Sequence, residues 1–306
     1  MKAKKNKKIL IFGGSGFLGK AIIKKLVNLD FKIVLFTRKK DLHEKFFKFN
    51  LSEKLDVINW SLNNTKAIQD NFSNTEAIIN FCGILYENRK GDFYKIHSDL
   101  PAFLGEMASK YDVPKLIHVS ALGVSELSAS LYSSSKASGE KRLLENFPKG
   151  QIVRPSLLFG EGDNFFGQFA QMASVSPVLP LISGSTKFQP VYVDDVAMAI
   201  TNLLKEKIKT NTFYELGGKL VYTFEELLKM LLEVKGIKRV LLPLSPQLMK
   251  IPAFFLQILP KPPFTVDQMK LLANDNILVN GLPGLEDLGI EPRDLKSELI
   301  RIYKNK

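Results

Sequence analysis

The sequence predicts an α/β protein with a doubly wound parallel sheet and a smaller, interleaved α/β lobe at the carboxyl end. Through the first half of the chain, apolar runs of strand length alternate with longer segments of helical period. A glycine-rich turn stands between the first strand and the first helix, and after Pro155 the pattern changes to shorter elements with more proline and glycine. We therefore expect residues 1–160 to form one domain. Residues 161–306 should form the smaller lobe, which contributes partly to the main sheet.

Six apolar runs predict the strands of this sheet, because runs without strict alternation suit strands that are buried on both faces. They are residues 8–13, 32–37, 55–60, 77–81, 115–120 and 151–155. Helices are predicted between them, over residues 18–29, 68–72, 101–110 and 132–146. This strand–helix–strand order implies parallel strands that are joined by right-handed crossovers.

The second half of the chain carries signals for helix starts and one unusually apolar segment. Thr223 and Thr265 each begin a capping-box pattern, and Asp194 or Asp195 is predicted to cap the helix after the run VYV. Residues 248–259, framed by prolines, are too short to span a bilayer. They are predicted to lie against a membrane surface or an apolar partner, unless they pack into the protein's own core.

Composition and charge narrow the classes of function. Of the 306 residues, 45% are hydrophobic and 24% are charged, which is ordinary for a globular protein. The single cysteine, Cys82, rules out an internal disulfide and points to a reducing compartment. The net charge of +12 comes without a basic stripe or a nucleic-acid motif, so we expect no nucleic-acid partner. An anionic cofactor, an acidic protein, a membrane surface or a generally lysine-rich composition explains the charge equally well. No cluster of ligand side chains predicts a metal site.

The glycine-rich turn predicts a dinucleotide site of the Rossmann type. Gly13, Gly16 and Gly19 are spaced G-x-x-G-x-x-G. The first glycine allows a tight turn, the second lets the backbone approach a pyrophosphate, and the third lets the helix pack closely on the strand. We expect the pyrophosphate to bind free N–H groups at the start of the following helix.

The end of the second strand favours NADP(H) over NAD(H). A site that selects NAD usually places an acidic residue here, hydrogen-bonded to the ribose 2′-hydroxyl, and none occurs before Asp41. Arg38 and Lys39 instead place cations where a 2′-phosphate would lie, unless both point into solvent.

Tyr132 and Lys136 form the candidate acid/base pair. On a helix these residues share a face one turn apart, and a lysine ammonium beside a tyrosine lowers the phenol pKa from about 10. Two other pairs with this spacing fall in a charged loop or straddle a proline. His118 lies in a predicted buried strand, where we expect a core residue with satisfied hydrogen bonds.

The strings GGSGFLG, HVSALG, YSSSK, VRPSLLFGEGD and VYVDDVA resemble those of extended short-chain dehydrogenases/reductases over nearly the whole chain. Within that superfamily the chain is most similar to an atypical branch, the NADPH-binding accessory subunit of respiratory complex I and its bacterial relatives. The similarity lies in HVSALG, in His97 and in the pattern PPFTVDQMKLLANDN…LEDLGIEP. It implies bound NADP(H) and docking on a membrane-bound respiratory complex. The implied location is the cytoplasm, or the cytoplasmic face of the inner membrane (the matrix side in an organelle). The alternative is a soluble NADP-dependent oxidoreductase or nucleotide-sugar epimerase/dehydratase.

The resemblance also implies roles for individual residues. The pyrophosphate and 2′-phosphate would be held by Gly13, Ser15, Gly16, Phe17, Leu18, Gly19, Arg38 and Lys39. The rest of the cofactor would lie along Ser61, Leu62, Cys82 and Gly83. Lys136 would bond to the nicotinamide ribose, and the nicotinamide would lie near Pro155, Ser156 and Leu157. The catalytic residues would be Tyr132, Lys136 and Ser120 in an incomplete tetrad, because His97 stands where an asparagine is expected and Leu122 where the catalytic serine often lies.

Overall fold

The computed structural model describes residues 8–29, 31–38, 54–61, 65–205, 212–244, 265–279 and 281–304. Lys39, Leu62 and the apolar segment 248–259 lie outside the described residues, so what is predicted for them stays a prediction.

The central sheet has seven parallel strands. They are β1 (Lys8–Phe12), β2 (Lys32–Thr37), β3 (Leu55–Asn59), β4 (Thr75–Asn80), β5 (Lys115–Val119), β6 (Gln151–Pro155) and β11 (Thr212–Leu216). Their order across the sheet is β11-β6-β5-β4-β1-β2-β3, with β1 between β2 and β4. This is the doubly wound arrangement that the sequence predicts, and all six strands predicted in the first half of the chain are present. The seventh strand, β11, comes from the carboxyl half of the chain.

Helices cover both faces of the sheet and continue into the carboxyl half. The α-helices of the described residues are α1 (Phe17–Leu26), α2 (Lys66–Gln69), α3 (Asp92–Tyr94), α4 (Leu100–Lys110), α5 (Leu131–Asn146), α6 (Phe165–Val175), α7 (Val193–Lys205), α8 (Phe224–Lys235), α9 (Val266–Leu271) and α10 (Leu295–Tyr303). A π-helical turn over Lys95–Asp99 joins α3 to α4. One face packs on α1 and α7, and the other packs on α2, α4 and α5. Alternate residues of a strand therefore enter different layers: Ile9 and Ile11 join the first, and Leu10 and Phe12 join the second.

Short strands and an aromatic cluster build the rest of the carboxyl half. The strands are β7 (Leu158–Phe159), β8 (Val178–Ile182), β9 (Lys187–Phe188), β10 (Val191–Tyr192), β12 (Tyr222–Thr223) and β13 (Val240–Leu244). They associate as the pairs β7–β10, β8–β13 and β9–β12. Phe165, Phe169, Phe188 and Phe224 pack against one another with ring centroids 5.4 to 6.4 Å apart. In the part of the chain described, no helix is both long and apolar enough to cross a membrane.

Both predicted capping boxes are confirmed. The Thr223 hydroxyl accepts from the Glu226 backbone N–H at 3.2 Å, and the Glu226 carboxylate accepts from the Thr223 N–H at 2.7 Å. Thr265 and Gln268 make the same reciprocal pair at 3.2 and 3.0 Å. Each box satisfies N–H groups that the first helical turn cannot pair internally.

The predicted aspartate cap of α7 is wrong. The helix begins at Val193, directly after β10, so Asp194 and Asp195 both lie inside its first turn. Asp195 is almost wholly buried, accepts from the Arg293 backbone N–H at 2.9 Å and pairs with the Arg293 guanidinium at 3.2 Å. Its carboxylate binds the carboxyl-terminal segment rather than its own helix end.

Candidate cofactor site

The candidate site lies at the carboxyl ends of β1 and β4, where the direction of the strand order reverses. β1 runs into Gly13, whose φ of 76° is in the left-handed region that favours glycine. A Cβ atom on Gly13 would stand 2.8 Å from the backbone nitrogen of Cys82, in the loop after β4. Glycine is therefore required here both by the turn and by the close approach of the two loops.

Gly19 is required by packing. A Cβ atom at this position would stand 2.4 Å from the Cα of Gly14, so α1 lies directly on the turn before it. This contact is the close packing predicted for the third glycine of the motif.

Gly16 is different, because no contact among the described residues requires a glycine there. Its φ of −70° and ψ of 178° suit any residue, and within the described part of the chain a Cβ atom would meet only the Gly13 carbonyl oxygen, at 3.4 Å. Gly16 is exposed and stands at the amino end of α1, whose first turn carries no acidic side chain to offset the helix dipole. An anionic group that closely approaches the backbone explains this glycine, so the turn fits a pyrophosphate.

The other residues predicted to hold the phosphates differ in exposure. Ser15 and Phe17 are half-buried, and Leu18 is buried in the core, so that only its backbone can face a ligand. Arg38 is exposed at the end of β2. Its positive charge is close enough to the Cys82 thiol to favour the thiolate, that is, to lower the pKa of the thiol. Ser61 is exposed just beyond β3.

Cys82 belongs to the loop that closes on Gly13. Its backbone N–H donates to the Asn80 side-chain oxygen at 3.0 Å. Burial raises the pKa of the Cys82 thiol to about 12, although the positive charges of Arg38 and Lys136 oppose the shift. The thiol is therefore mainly protonated at neutral pH, which is the less nucleophilic form. Gly83, the next residue, is exposed.

Lys136 is buried at the inner side of the site. Its ammonium donates to the Val119 carbonyl at 3.3 Å and lies 5.8 Å from the centre of the Tyr132 ring, on the shared helix face that the sequence predicts. Burial lowers the pKa of Lys136 to about 8, although Glu140 and Cys82 raise it. The side chain is therefore still mainly cationic at pH 7. A Cβ atom on Gly83 would be only 3.6 Å from the ammonium, so the lysine faces the loop along which the cofactor is predicted to pass.

The expected effect of Lys136 on the Tyr132 phenol is wrong. The pKa of Tyr132 is raised to about 12 because its surroundings exclude water. Its ring packs edge-on against His97 and Phe93, with ring centroids 5.3 and 6.1 Å apart. The loss of hydration disfavours the phenolate more than the nearby ammonium favours it.

His97 is wholly buried, and both of its ring nitrogens are engaged. Nε2 lies 3.0 Å from the Ile84 backbone nitrogen and accepts its proton, so we assign the ring proton to Nδ1, which donates to the Ser135 hydroxyl at 2.9 Å. That hydroxyl in turn donates to the Tyr132 carbonyl at 3.0 Å. Burial and the Lys136 charge lower the pKa of His97 to about 2. The ring is therefore a neutral link between the loop after β4 and the first turn of α5.

Two polar atoms near the end of β5 are buried without partners. The Ser120 hydroxyl and the Nε2 atom of His118 have no hydrogen-bond partner among the described residues. The expectation that His118 is satisfied is therefore wrong, since only its Nδ1 is paired, with the Asn80 amide at 3.1 Å. Burial, with the charge of Lys136, lowers the pKa of His118 to about 3, and the ring is neutral. Unpaired buried polar groups two residues apart on one strand face indicate a place where a ligand or water completes the bonding.

The residues predicted to lie near the nicotinamide meet the carboxyl-terminal segment. Pro155 ends β6 opposite Leu216 of β11, and Leu157 is half-buried. The Ser156 hydroxyl lies 2.7 Å from the Asn276 side-chain oxygen, and the Asn276 amide donates to the Leu122 carbonyl at 3.1 Å.

Asp267 and Asn276 are two site residues that the sequence interpretation missed, as it missed Asn80 and Ser135. Asp267 accepts hydrogen bonds at the start of α5, beside Tyr132. The only signal for either was their presence in the pattern PPFTVDQMKLLANDN, which identifies a resemblance but assigns no contact.

The fold and the glycine turn together define a Rossmann protein that binds a nicotinamide dinucleotide. The model of the NAD dependent epimerase/dehydratase family matches residues 9–217, and the chain belongs to this family.

Relatives extend the similarity beyond the family model. The chain is 28% identical over 300 residues to the mitochondrial protein NADH dehydrogenase (ubiquinone) 1 alpha subcomplex subunit 9 of Dictyostelium discoideum, with 96% of this chain and 83% of that protein covered. It is 28% identical over 299 residues to the Mus musculus protein of the same name, with 96% and 79% covered. Among solved structures, it superposes with a TM-score of 0.72 at 16% identity on DesIV, a dTDP-glucose 4,6-dehydratase of Streptomyces venezuelae with NAD and TYD bound, over 97% and 96% of the two chains.

Proposed function

We propose that this protein holds NADP(H) as a stabilising ligand and serves as an accessory or assembly subunit of respiratory complex I (NADH:quinone oxidoreductase). The environment of His97 carries the proposal. In the place where an active member of the superfamily is expected to have an asparagine, this neutral ring is bonded at both nitrogens and has a pKa of about 2. Such a ring joins the loop after β4 to α5, and with both nitrogens bonded inside the protein it has none left to bind a substrate or a relay water.

The proposed partner is supported by the extent of the similarity. Two relatives named as subunits of NADH dehydrogenase match 96% of this chain, including the carboxyl-terminal segment beyond the family model. A docked subunit needs a stable fold more than it needs turnover. A ligand at a hundred times its Kd stabilises a fold by about 2.7 kcal/mol.

The residues of the chain suggest how the cofactor is held. The backbone at Gly16 would bind the pyrophosphate, and Arg38 would pair with the 2′-phosphate of NADP(H). The ammonium of Lys136 would bond to the nicotinamide ribose. These residues lie before α1, just after β2 and on α5, so one ligand would link three parts of the fold. When bound, the nicotinamide supplies hydride-transfer chemistry.

Cofactor choice is tested with Arg38→Ala. The unaltered protein should bind NADPH at least about tenfold more tightly than NADH. Loss of a charge-assisted hydrogen bond costs about 1.5–3 kcal/mol, so Arg38→Ala should weaken NADPH binding by that amount and leave NADH binding nearly unchanged. Titration calorimetry measures both affinities. The matched control is Arg239→Ala, which removes an equal charge from the carboxyl-terminal lobe, where Arg239 donates to the Ala173 carbonyl at 2.7 Å. Equal affinities of the unaltered protein for the two cofactors contradict the proposed choice.

The partner is tested by native electrophoresis of gently solubilised membranes from the source organism. The proposal expects the protein to migrate with intact complex I and to be released as the complex is dissociated. If it migrates alone while complex I remains intact, the proposed partner is wrong.

A second candidate function is a soluble NADP-dependent oxidoreductase or nucleotide-sugar epimerase/dehydratase. The family match and the surviving Tyr132–Lys136 pair, with the ammonium 5.8 Å from the ring centre, favour it. Two assays separate the functions: NADPH oxidation with carbonyl substrates detects a reductase, and product analysis of nucleotide sugars detects an epimerase or dehydratase, which regenerates its cofactor in each turnover. Rapid turnover that Tyr132→Phe abolishes would establish the enzyme and overturn the purely structural role of the cofactor.

A further inference from the structure

A carboxylate from the carboxyl-terminal segment caps the helix that carries Tyr132 and Lys136. Asp267 accepts from the backbone N–H groups of Leu131 at 2.8 Å and of Tyr132 at 3.0 Å, and from the Ser130 hydroxyl at 2.7 Å. The first-turn N–H groups of a helix have no partner inside the helix. In α5, two of them are therefore satisfied by a residue that lies 135 positions away from Tyr132 in the chain.

This cap is not needed by the helix that supplies it. Asp267 is the second residue of α9, and α9 has its own capping box, made by Thr265 and Gln268. The Asp267 carboxylate is therefore free to serve α5. A negative charge at the amino end of α5 also interacts favourably with the dipole of that helix.

Two further bonds tie the same segment to the walls of the candidate site. The Lys270 ammonium donates to the Ala129 carbonyl at 2.9 Å, in the loop that leads into α5. Asn276 bonds to Ser156 after β6 and to the Leu122 carbonyl after β5. Residues 265–276, hereafter the latch, therefore contact three elements around the predicted nicotinamide end: the start of α5 and the loops after β5 and β6.

We propose that Asp267 is a positioning residue for cofactor binding and that the latch slows the release of the cofactor. This inference rests on the proposed function, since it assumes that NADP(H) binds beside Lys136. The first turn of α5 holds Tyr132 at its second position, and Lys136 follows one turn later. Ser130 also caps α5, accepting from the Ser133 N–H at 3.3 Å. Loss of Asp267 would leave the Leu131 and Tyr132 N–H groups without their acceptor and loosen the start of the helix, so the lysine that would hold the nicotinamide ribose would be positioned less firmly. The carboxyl-terminal lobe then controls how long the Rossmann half keeps its ligand.

The experiment measures the release rate of bound NADPH in the full chain, by stopped-flow fluorescence with excess NADP+ as the competitor. Loss of a helix cap by substitution with alanine should accelerate release by about tenfold in Asp267→Ala. Asp267→Asn keeps the side-chain volume and one acceptor oxygen, and should give an intermediate rate. This conservative variant also keeps the test valid if the alanine variant folds poorly.

Asp294→Ala is the matched control. Asp294 caps its own helix, α10, by accepting from the Ser297 N–H at 2.8 Å, and it makes no bond to α5. Its removal should lower the melting temperature about as much as removal of Asp267, without changing the release rate. Hydrogen–deuterium exchange gives a second readout: bound NADPH should slow exchange in residues 265–276 of the unaltered protein, and this protection should disappear in Asp267→Ala.

The outcomes separate the two proposals. If the unaltered chain binds neither NADPH nor NADH, the proposed function fails, and the latch fails with it. If the unaltered chain binds NADPH but Asp267→Ala releases it at the same rate, only the latch is overturned. If Asp294→Ala accelerates release as much as Asp267→Ala, the effect is a general loss of stability, and Asp267 is not a positioning residue.

Discussion

Gly16→Ala should separate cofactor binding from folding. The backbone at Gly16 is already in a region open to alanine, and among the described residues the added Cβ would meet only the Gly13 carbonyl oxygen, at 3.4 Å. Alanine is a poorer helix cap than glycine, but it also restricts the unfolded chain, so the free energy of unfolding should change by less than about 1 kcal/mol. The same methyl group would project into the space where the pyrophosphate is expected. Loss of one to two charge-assisted hydrogen bonds, about 3 kcal/mol, corresponds to NADPH binding weakened by about two powers of ten.

Fluorescence titration with NADPH and a thermal melt of the same sample provide the two measurements. Gly19→Ala is the control, because its Cβ would stand 2.4 Å from the Gly14 backbone. Overpacking of this kind costs about 1–3 kcal/mol or more. Gly19→Ala should therefore lower the melting temperature, and a loss of NADPH binding in this variant would reflect its lower stability. If Gly16→Ala binds NADPH as tightly as the unaltered protein, the glycine turn is not a pyrophosphate cradle, and the reasoning is refuted.

Three further predictions concern the same fold. Lys136→Ala should weaken NADPH binding, since the bond between the Lys136 ammonium and the nicotinamide ribose is a ground-state contact. Tyr132→Phe should change the NADPH affinity by no more than about twofold, and calorimetry of both variants checks this. With pKa values of about 2 for His97 and about 3 for His118, the unfolded state binds more protons than the folded state below about pH 6.5. The free energy of unfolding should therefore fall on acidification by up to about 1.4 kcal/mol per pH unit for each ring. Urea unfolding between pH 7 and 5 should show that this free energy depends less steeply on pH in His97→Asn than in the unaltered protein. An unchanged dependence on pH contradicts the assignment of a neutral, buried His97. Thr223→Ala should cost about 1 kcal/mol of stability in urea unfolding without altering NADPH affinity, and a change in affinity would contradict the separation of that helix from the site.

The parts of the protein that the sequence alone determines are those specified by local patterns. The six strands follow from apolar runs, because a strand that is buried on both faces needs no polar alternation. Gly13 and Gly19 follow from spacing, since their roles depend on a turn and on a helix that begins within a few residues. The two capping boxes are equally local, because each joins residues three positions apart.

Tertiary structure decides how the site works, because the decisive contacts join distant parts of the chain. Burial outweighs a neighbouring ammonium at Tyr132, so the sequence rule gives the wrong direction for the phenol pKa. Asp195 resembles a helix cap in sequence, but it pairs with Arg293, 98 residues away. Asp267 resembles an ordinary first-turn residue of α9, but it caps α5 across 135 residues. A carboxylate binds whichever donors the fold places beside it, and local spacing carries no information about donors that approach from another lobe.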